Sequence, residues 1–219
     1  MYAYFVPGCH RRTRFIQESV VGMPLLRVEL STRMTKRSEK AIVKKLNQFG
    51  VHRLLSMPPF SDSTRLPSPV ETRSLWKLHA VDATLALLKQ HRLSPGRSIV
   101  ELVDDRFSGS VQQLTLELIP LVGQISLSMP FPESFAWQLQ REYGVAPLSC
   151  PGTASICFTP SERKLALPLW MERPAVSDLT LTLPDLDLPD QCPTLPLLSA
   201  LAQQGRIDPK QLEICADFT

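Results

Sequence analysis

Residues 98–129 read SIVELVDDRFSGSVQQLTLELIPLVGQISLSM. The apolar run Ser98–Val103 is short enough for a strand and is closed by the polar turn Asp104–Ser108. Val111, Leu114, Leu118 and Leu121 then recur at helical spacing, which predicts a helix over Ser110–Pro120. A second strand follows at Gln124–Met129. Strand, helix and strand within about 30 residues make a βαβ unit, and such a crossover joins parallel strands.

The same alternation continues on both sides. Upstream, strands are expected at Tyr2–Val6, Leu25–Leu30 and Val51–Met57. Helices are expected near Arg12–Val20, over Thr35–Phe49 with Gly50 as a stop, and over Ser74–Arg92. The stretch Pro58–Thr72, with four prolines, reads as a loop. Downstream, Glu133–Tyr143 is a helix stopped by Gly144, and Val145–Ser149 is a sixth strand. The expected architecture over residues 1–150 is therefore α/β, a doubly wound, mostly parallel sheet with helices on both faces.

After Cys150 nine prolines fall in 69 residues, and Ala154–Thr159, Lys164–Trp170 and Asp178–Leu183 read as short strands with little helix between them. Such strands are expected to pair antiparallel. With a last helix at Leu195–Gln204, they make residues 151–219 a β-rich, proline-rich extension packed on the first domain.

Composition agrees with a folded protein. Of 219 residues 43% are hydrophobic and 21% charged, which excludes a wholly disordered chain. No apolar run is long enough for a membrane span. The N-terminus turns basic at His10–Arg14 before any long apolar core, unlike a secretory signal. The five cysteines are odd in number and include no CxxC pair, so free thiols and a cytoplasmic location are expected, with no metal site. The net charge of +3 conceals an asymmetry. Residues 1–100 carry 17 Lys and Arg against 6 Asp and Glu, whereas residues 101–219 carry 7 against 15. Such a layout suits an anion-facing half, or two surfaces that attract each other.

The residues that bear on chemistry lie mostly at expected strand ends. Neither the Gly-x-Gly-x-x-Gly fingerprint nor a P-loop occurs, which argues against an ordinary NAD- or ATP-dependent enzyme and implies no particular cofactor. The loop Asp104–Ser110 opens a helix, and Arg106, Ser108, Gly109 and Ser110 supply donors for an anion there. The plainer account makes Ser108 or Ser110 an N-cap and Gly109 a turn residue. Arg11 and Arg12 occupy the corresponding place after the first strand, and guanidinium suits phosphate or carboxylate. These six residues are expected to border one cleft at the carboxyl ends of the strands, among the loops Pro7–Thr13, Ser31–Thr35, Pro58–Pro69, Asp104–Ser110 and Pro130–Glu133.

Other features read as structure. His79 and Asp82, three apart on a helix, suit an ion pair. Lys36, Arg37, Lys40, Lys44 and Lys45 make a basic helix face without interleaved aromatics, so nucleic acid is not expected as a partner. Glu101, Asp104 and Asp105 cluster at a strand end with no spacing that assigns acid and base roles. The helix at 74–92 has two apolar stripes, one for a sheet and one for another helix, the C-terminal segment or a partner subunit.

The alternation over residues 1–150 resembles uncharacterised bacterial Rossmann-like proteins that lack the glycine fingerprint. The resemblance is one of pattern and implies a fold rather than a reaction. The expected function is that of a non-catalytic interaction or regulatory protein. The alternative is a binder of a nucleotide or small phosphorylated metabolite at the strand carboxyl ends, as in a degenerate enzyme.

Overall fold

The computed structural model describes residues 1–59, 66–174, 176 and 179–216. Residues 60–65 of the expected proline-rich loop and Asp178 of the expected tail strand lie outside them. The chain divides into two compact units. The first comprises Met1–Glu71 and Thr182–Leu212; the second comprises Thr72–Leu181 and the segment from Glu213. The change of composition at residue 150 falls inside the second unit.

In the first unit, β1 (Tyr2–Pro7) lies between β3 (Met23–Leu30) and the two-residue β4 (Arg53–Leu54), parallel to both. The segment expected to be helical near Arg12–Val20 is instead β2 (Arg14–Val20), antiparallel to β3 at the sheet edge. The cause is the turn that follows. Val21 and Gly22 both adopt positive φ, 48° and 70°, the conformation that closes a two-residue hairpin.

Alternation along β1 and β3 sorts the side chains onto two faces. Ala3, Phe5, Leu26, Val28 and Leu30 pack with Ile42 and Leu46 of α1 (Lys36–Gln48). Tyr2, Tyr4, Val6, Met23 and Leu25 pack on the other face with Leu197, Ala200 and Leu201. These last three belong to the final helix of the chain, which spans Thr194–Gln203. The sheet is thus covered on one face by a helix next to it in sequence and on the other by a helix about 170 residues away. Helix α1 begins in a capping box: Thr35 Oγ1 accepts from Ser38 N, and Thr35 N donates to Ser38 Oγ.

The second unit opens with α2 (Arg73–Leu78) and α3 (Ala80–Gln90). The expected single helix at 74–92 is broken at His79, which leaves helical backbone at φ −101° and ψ 19°. The expected βαβ unit is present as β5 (Ile99–Val103), α4 (Gly109–Leu118) and β6 (Gln124–Ser128). After α5 (Glu133–Tyr143), stopped at Gly144 with φ 68°, the chain reaches β7 (Ala154–Cys157) and β8 (Ala166–Pro168). The sheet order is β6-β5-β7-β8, and all pairs are parallel. It is a mixed α/β unit with a parallel four-stranded sheet flanked by helices.

Three expectations are corrected here. The strands form two four-stranded sheets and a two-stranded ribbon, β9 (Leu179–Thr182) with β10 (Glu213–Ala216), rather than one sheet of about six. Val145–Ser149 is not a strand; only Leu148 bridges to Ser126. β7 and β8 run parallel, although just eight residues and no helix link them, because Phe158 N donates to Val103 O and Ser155 N to Leu165 O, which hold the link against the sheet. The last helix, α6, is the Thr194–Gln203 helix of the first unit. Among the described residues no helix is long and apolar enough to cross a membrane.

Candidate functional site

A cavity of about 290 Å³ lies at the carboxyl ends of β1 and β3 in the first unit. That is close to the lower bound of small-molecule sites, about 300–1,000 Å³. Phe5, Val6, Pro7 and Gly8 line it from the first strand, and Leu30, Ser31, Thr32 and Met34 from the third. Met57 and Pro59 complete the lining from the segment beyond β4. Three of the five loops expected to gather at strand ends, those starting at Pro7, Ser31 and Pro58, therefore meet at one cavity.

Backbone bonds fix the first two loops to each other. Gly8 N donates to Leu30 O at 3.0 Å, and Thr32 N donates to His10 O at 3.1 Å. Gly8 is required by this approach, since a Cβ there would overlap the Leu30 carbonyl. Arg11 and Arg12 follow on the same loop and are exposed. They lead into strand β2, so no helix N-terminus adds to them, contrary to the expected strand–loop–helix order. Arg33 is exposed on the second loop between the lining residues Thr32 and Met34. Among the described residues none of the three arginines forms an ion pair. The nearby Glu29 is already held by Arg27 at 2.5 Å, with His10 at 4.0 Å.

Arg106, Ser108, Gly109 and Ser110 belong to the second unit, whereas Arg11 and Arg12 belong to the first. Ser108 is the N-cap of α4, and its Oγ accepts from Val111 N at 3.4 Å. Gly109 and Ser110 are the first two helical residues and are exposed, as is Arg106. Nothing lies within 4 Å of a Cβ built on Gly109, so neither its backbone nor its surroundings require glycine. Asp104 Oδ1 accepts from Asp105 N, and burial raises the Asp104 carboxyl above its ordinary range.

Sequence reasoning left Glu101 without a role. It lies in the middle of β5, fully buried, and five hydrogen bonds end on its two oxygens. Arg163 Nε and Nη2 donate at 2.9 and 2.7 Å; Ser128 Oγ, Ser155 Oγ and Gly152 N supply the rest. Burial alone would raise its pKa, but Arg163, Ser128, Gly152 and Ser155 together lower it to about 2. The order β6-β5-β7-β8 puts the reversal of strand order beside β5 and β7, and this charge network ties both strands to β6 and to the β7–β8 link. With all five donors engaged, the carboxylate acts as a structural anchor. A charged residue within an otherwise apolar strand was the available signal, because buried Glu needs a partner.

His79 Nδ1 and Asp82 Oδ2 lie 3.9 Å apart, as the spacing predicts. The stripe Trp76, Ala80, Ala83 and Leu87 is buried, whereas Leu78 is 48% exposed. Beside α3 a shallow apolar recess of about 570 Å³ is lined by Leu85, Ala86, Leu93, Pro95 and Leu121, with Lys89 and Arg92 at its edge.

No protein-family model and no curated protein matches the chain.

Proposed function

We propose that this is a non-catalytic regulatory protein that binds a small anionic ligand at the carboxyl ends of β1 and β3. The convergence of three loops on one cavity carries the reading, with Arg11, Arg12 and Arg33 on two of those loops and without acidic partners among the described residues. Strand ends in open α/β sheets are the usual ligand sites. The reading includes a Rossmann-like, doubly wound ancestry, supported by the central position of β1 and β5, the first strand of each sheet. It also includes a proline-rich C-terminal extension and a reducing, cytoplasmic setting, for which the five free cysteines speak.

The test is calorimetric titration of the full chain with inorganic phosphate, AMP and carboxylates of about two to about fourteen carbons. At least one anion should bind, and a ligand at about 100 times its Kd adds about 2.7 kcal/mol of stability. Joint replacement of Arg11, Arg12 and Arg33 by Ala should remove that gain. Silence towards every anion would reject the reading.

A second reading, docking of a protein partner, is favoured by the recess beside α3 and the 42% exposure of Leu121. If it holds, Leu121→Asp should abolish any self-association seen by sedimentation.

A further inference from the structure

We infer that the ligand of the β1–β3 cavity is a single-headed amphiphilic anion, with its apolar body inside and its carboxylate or phosphate monoester among Arg11, Arg12 and Arg33. This inference rests on the ligand-binding reading and names its chemistry.

The lining decides the body. Phe5, Val6, Leu30, Met34 and Met57 line it with apolar side chains, and most of the lining surface is apolar. Of the two hydroxyls, Ser31 Oγ already donates to Arg33 O at 2.8 Å. A nucleobase or sugar would bury several donors and acceptors against such walls without partners. An alkyl or aryl body leaves nothing unsatisfied. Met34 and Met57 suit it further, because unbranched thioether side chains adapt to varied shapes. Met57 is 45% exposed, an apolar side chain that a seated body would cover.

Volume sets the length. At about 30 Å³ per water-sized group, the 290 Å³ cavity holds at least about ten non-hydrogen atoms. The head is set by charge. The two loops that carry the three arginines are tied together through Thr32 N and His10 O, and Glu29 is already taken by Arg27. Among the described residues an anionic head is thus offered cations without a competing carboxylate. Guanidinium groups bind carboxylate and phosphate alike, so both heads fall in the same class.

The experiment titrates the full chain by calorimetry with straight-chain carboxylates of about six to about fourteen carbons, where each buried methylene should tighten binding about fourfold. Octyl phosphate, octanol, inorganic phosphate, AMP and phosphatidylglycerol vesicles complete the set. The expected result is a rise in affinity with chain length that ends in a plateau once the cavity is filled, at about ten carbons or a few more. Octyl phosphate should bind and octanol at least about tenfold more weakly, since one charge-assisted contact is worth that much. In Arg11→Ala/Arg12→Ala/Arg33→Ala, octanoate should bind no better than octanol. Thr32→Trp, which fills the mouth, should erase the chain-length dependence; Met57→Trp serves if the first variant does not fold. Phosphate or AMP binding as tightly as octyl phosphate overturns this inference and leaves the ligand-binding reading standing. Binding to vesicles without any dependence on free chain length overturns it as well, in favour of a membrane surface. Silence towards every probe removes both.

Discussion

Glu101→Gln keeps the shape of the buried side chain and removes its charge. In the native protein the carboxyl titrates at about 2, against an ordinary value of 4.5. A difference of that size corresponds to about 3 kcal/mol of stability at neutral pH. The sign follows from the direction. The native pKa is depressed, so the contribution is complete above pH 5 and is lost as the pH falls through about 4.5 towards 2. Arg163 retains 32% side-chain exposure and can turn to water, so removing the carboxylate does not strand a buried cation. The assay exploits the placement of the tryptophans: Trp76, Trp137 and Trp170 all lie in the second unit, and their fluorescence reports its unfolding alone. In urea titrations at pH 7, Glu101→Gln should be less stable than the wild type by about 3 kcal/mol, and about three quarters of that gap should be gone at pH 2.5, the rest only below about pH 1.5. Arg163→Ala should shrink the loss of stability between pH 5 and pH 2, because burial then acts on Glu101 with fewer opposing donors and its native pKa moves back towards the ordinary value. An equal gap at pH 7 and pH 2.5 would refute the assignment of this stability to the ionised network.

Val21→Asn should stabilise the first unit by roughly 0.5–1 kcal/mol, since asparagine tolerates positive φ where a β-branched residue is strained; thermal unfolding by far-ultraviolet dichroism reads it. Gly152→Ala should cost about 2 kcal/mol or more, because its Cβ would lie 2.7 Å from Glu101 Cβ and 2.8 Å from Ala154 O, and neither can yield; tryptophan fluorescence in urea measures the loss. Ser108→Ala should cost about 0.5–1 kcal/mol as a lost N-cap with a long bond, whereas Gly109→Ala should be neutral or stabilising. Those two variants, compared in the same titration, separate a capping role for this loop from one that needs glycine.

The parts legible in the sequence are those governed by neighbours in the chain. Helix α5 has the boundaries that periodicity and Gly144 assign, and α1 lies between Thr35 and Gly50 as its caps require. The βαβ unit at 98–129 follows from spacing alone. Strand β2 escaped because its basic start masks the alternation and because Val-Gly is a weak turn signal beside Asn-Gly. The covering of β1 by α6 depends on which apolar faces meet across about 170 residues, and no local pattern carries that. For the site, the strand-end rule found the loops around Pro7, Ser31 and Pro58 but not the absence of a helix after Arg12. Glu101 was visible as an oddity; its partners, drawn from positions 128, 152, 155 and 163, became neighbours only through the sheet order.

The discontinuous first unit imposes an order on synthesis. β1 and β3 leave the ribosome early, but the helix that covers one face of their sheet is made last. At about 5–20 residues per second, some 170 residues take on the order of ten to thirty seconds. Through that interval Tyr2, Tyr4, Met23 and Leu25 await their cover. Residues 72–181, by contrast, emerge as one uninterrupted stretch that includes β5 through β8 and the whole Glu101 network. The β5–β8 sheet can thus close before β1 and β3 are covered, although β10 completes its unit only after α6, and a chain stalled before α6 would present that closed sheet together with an open, sticky one. Chaperone demand during translation should accordingly concentrate on the N-terminal strands.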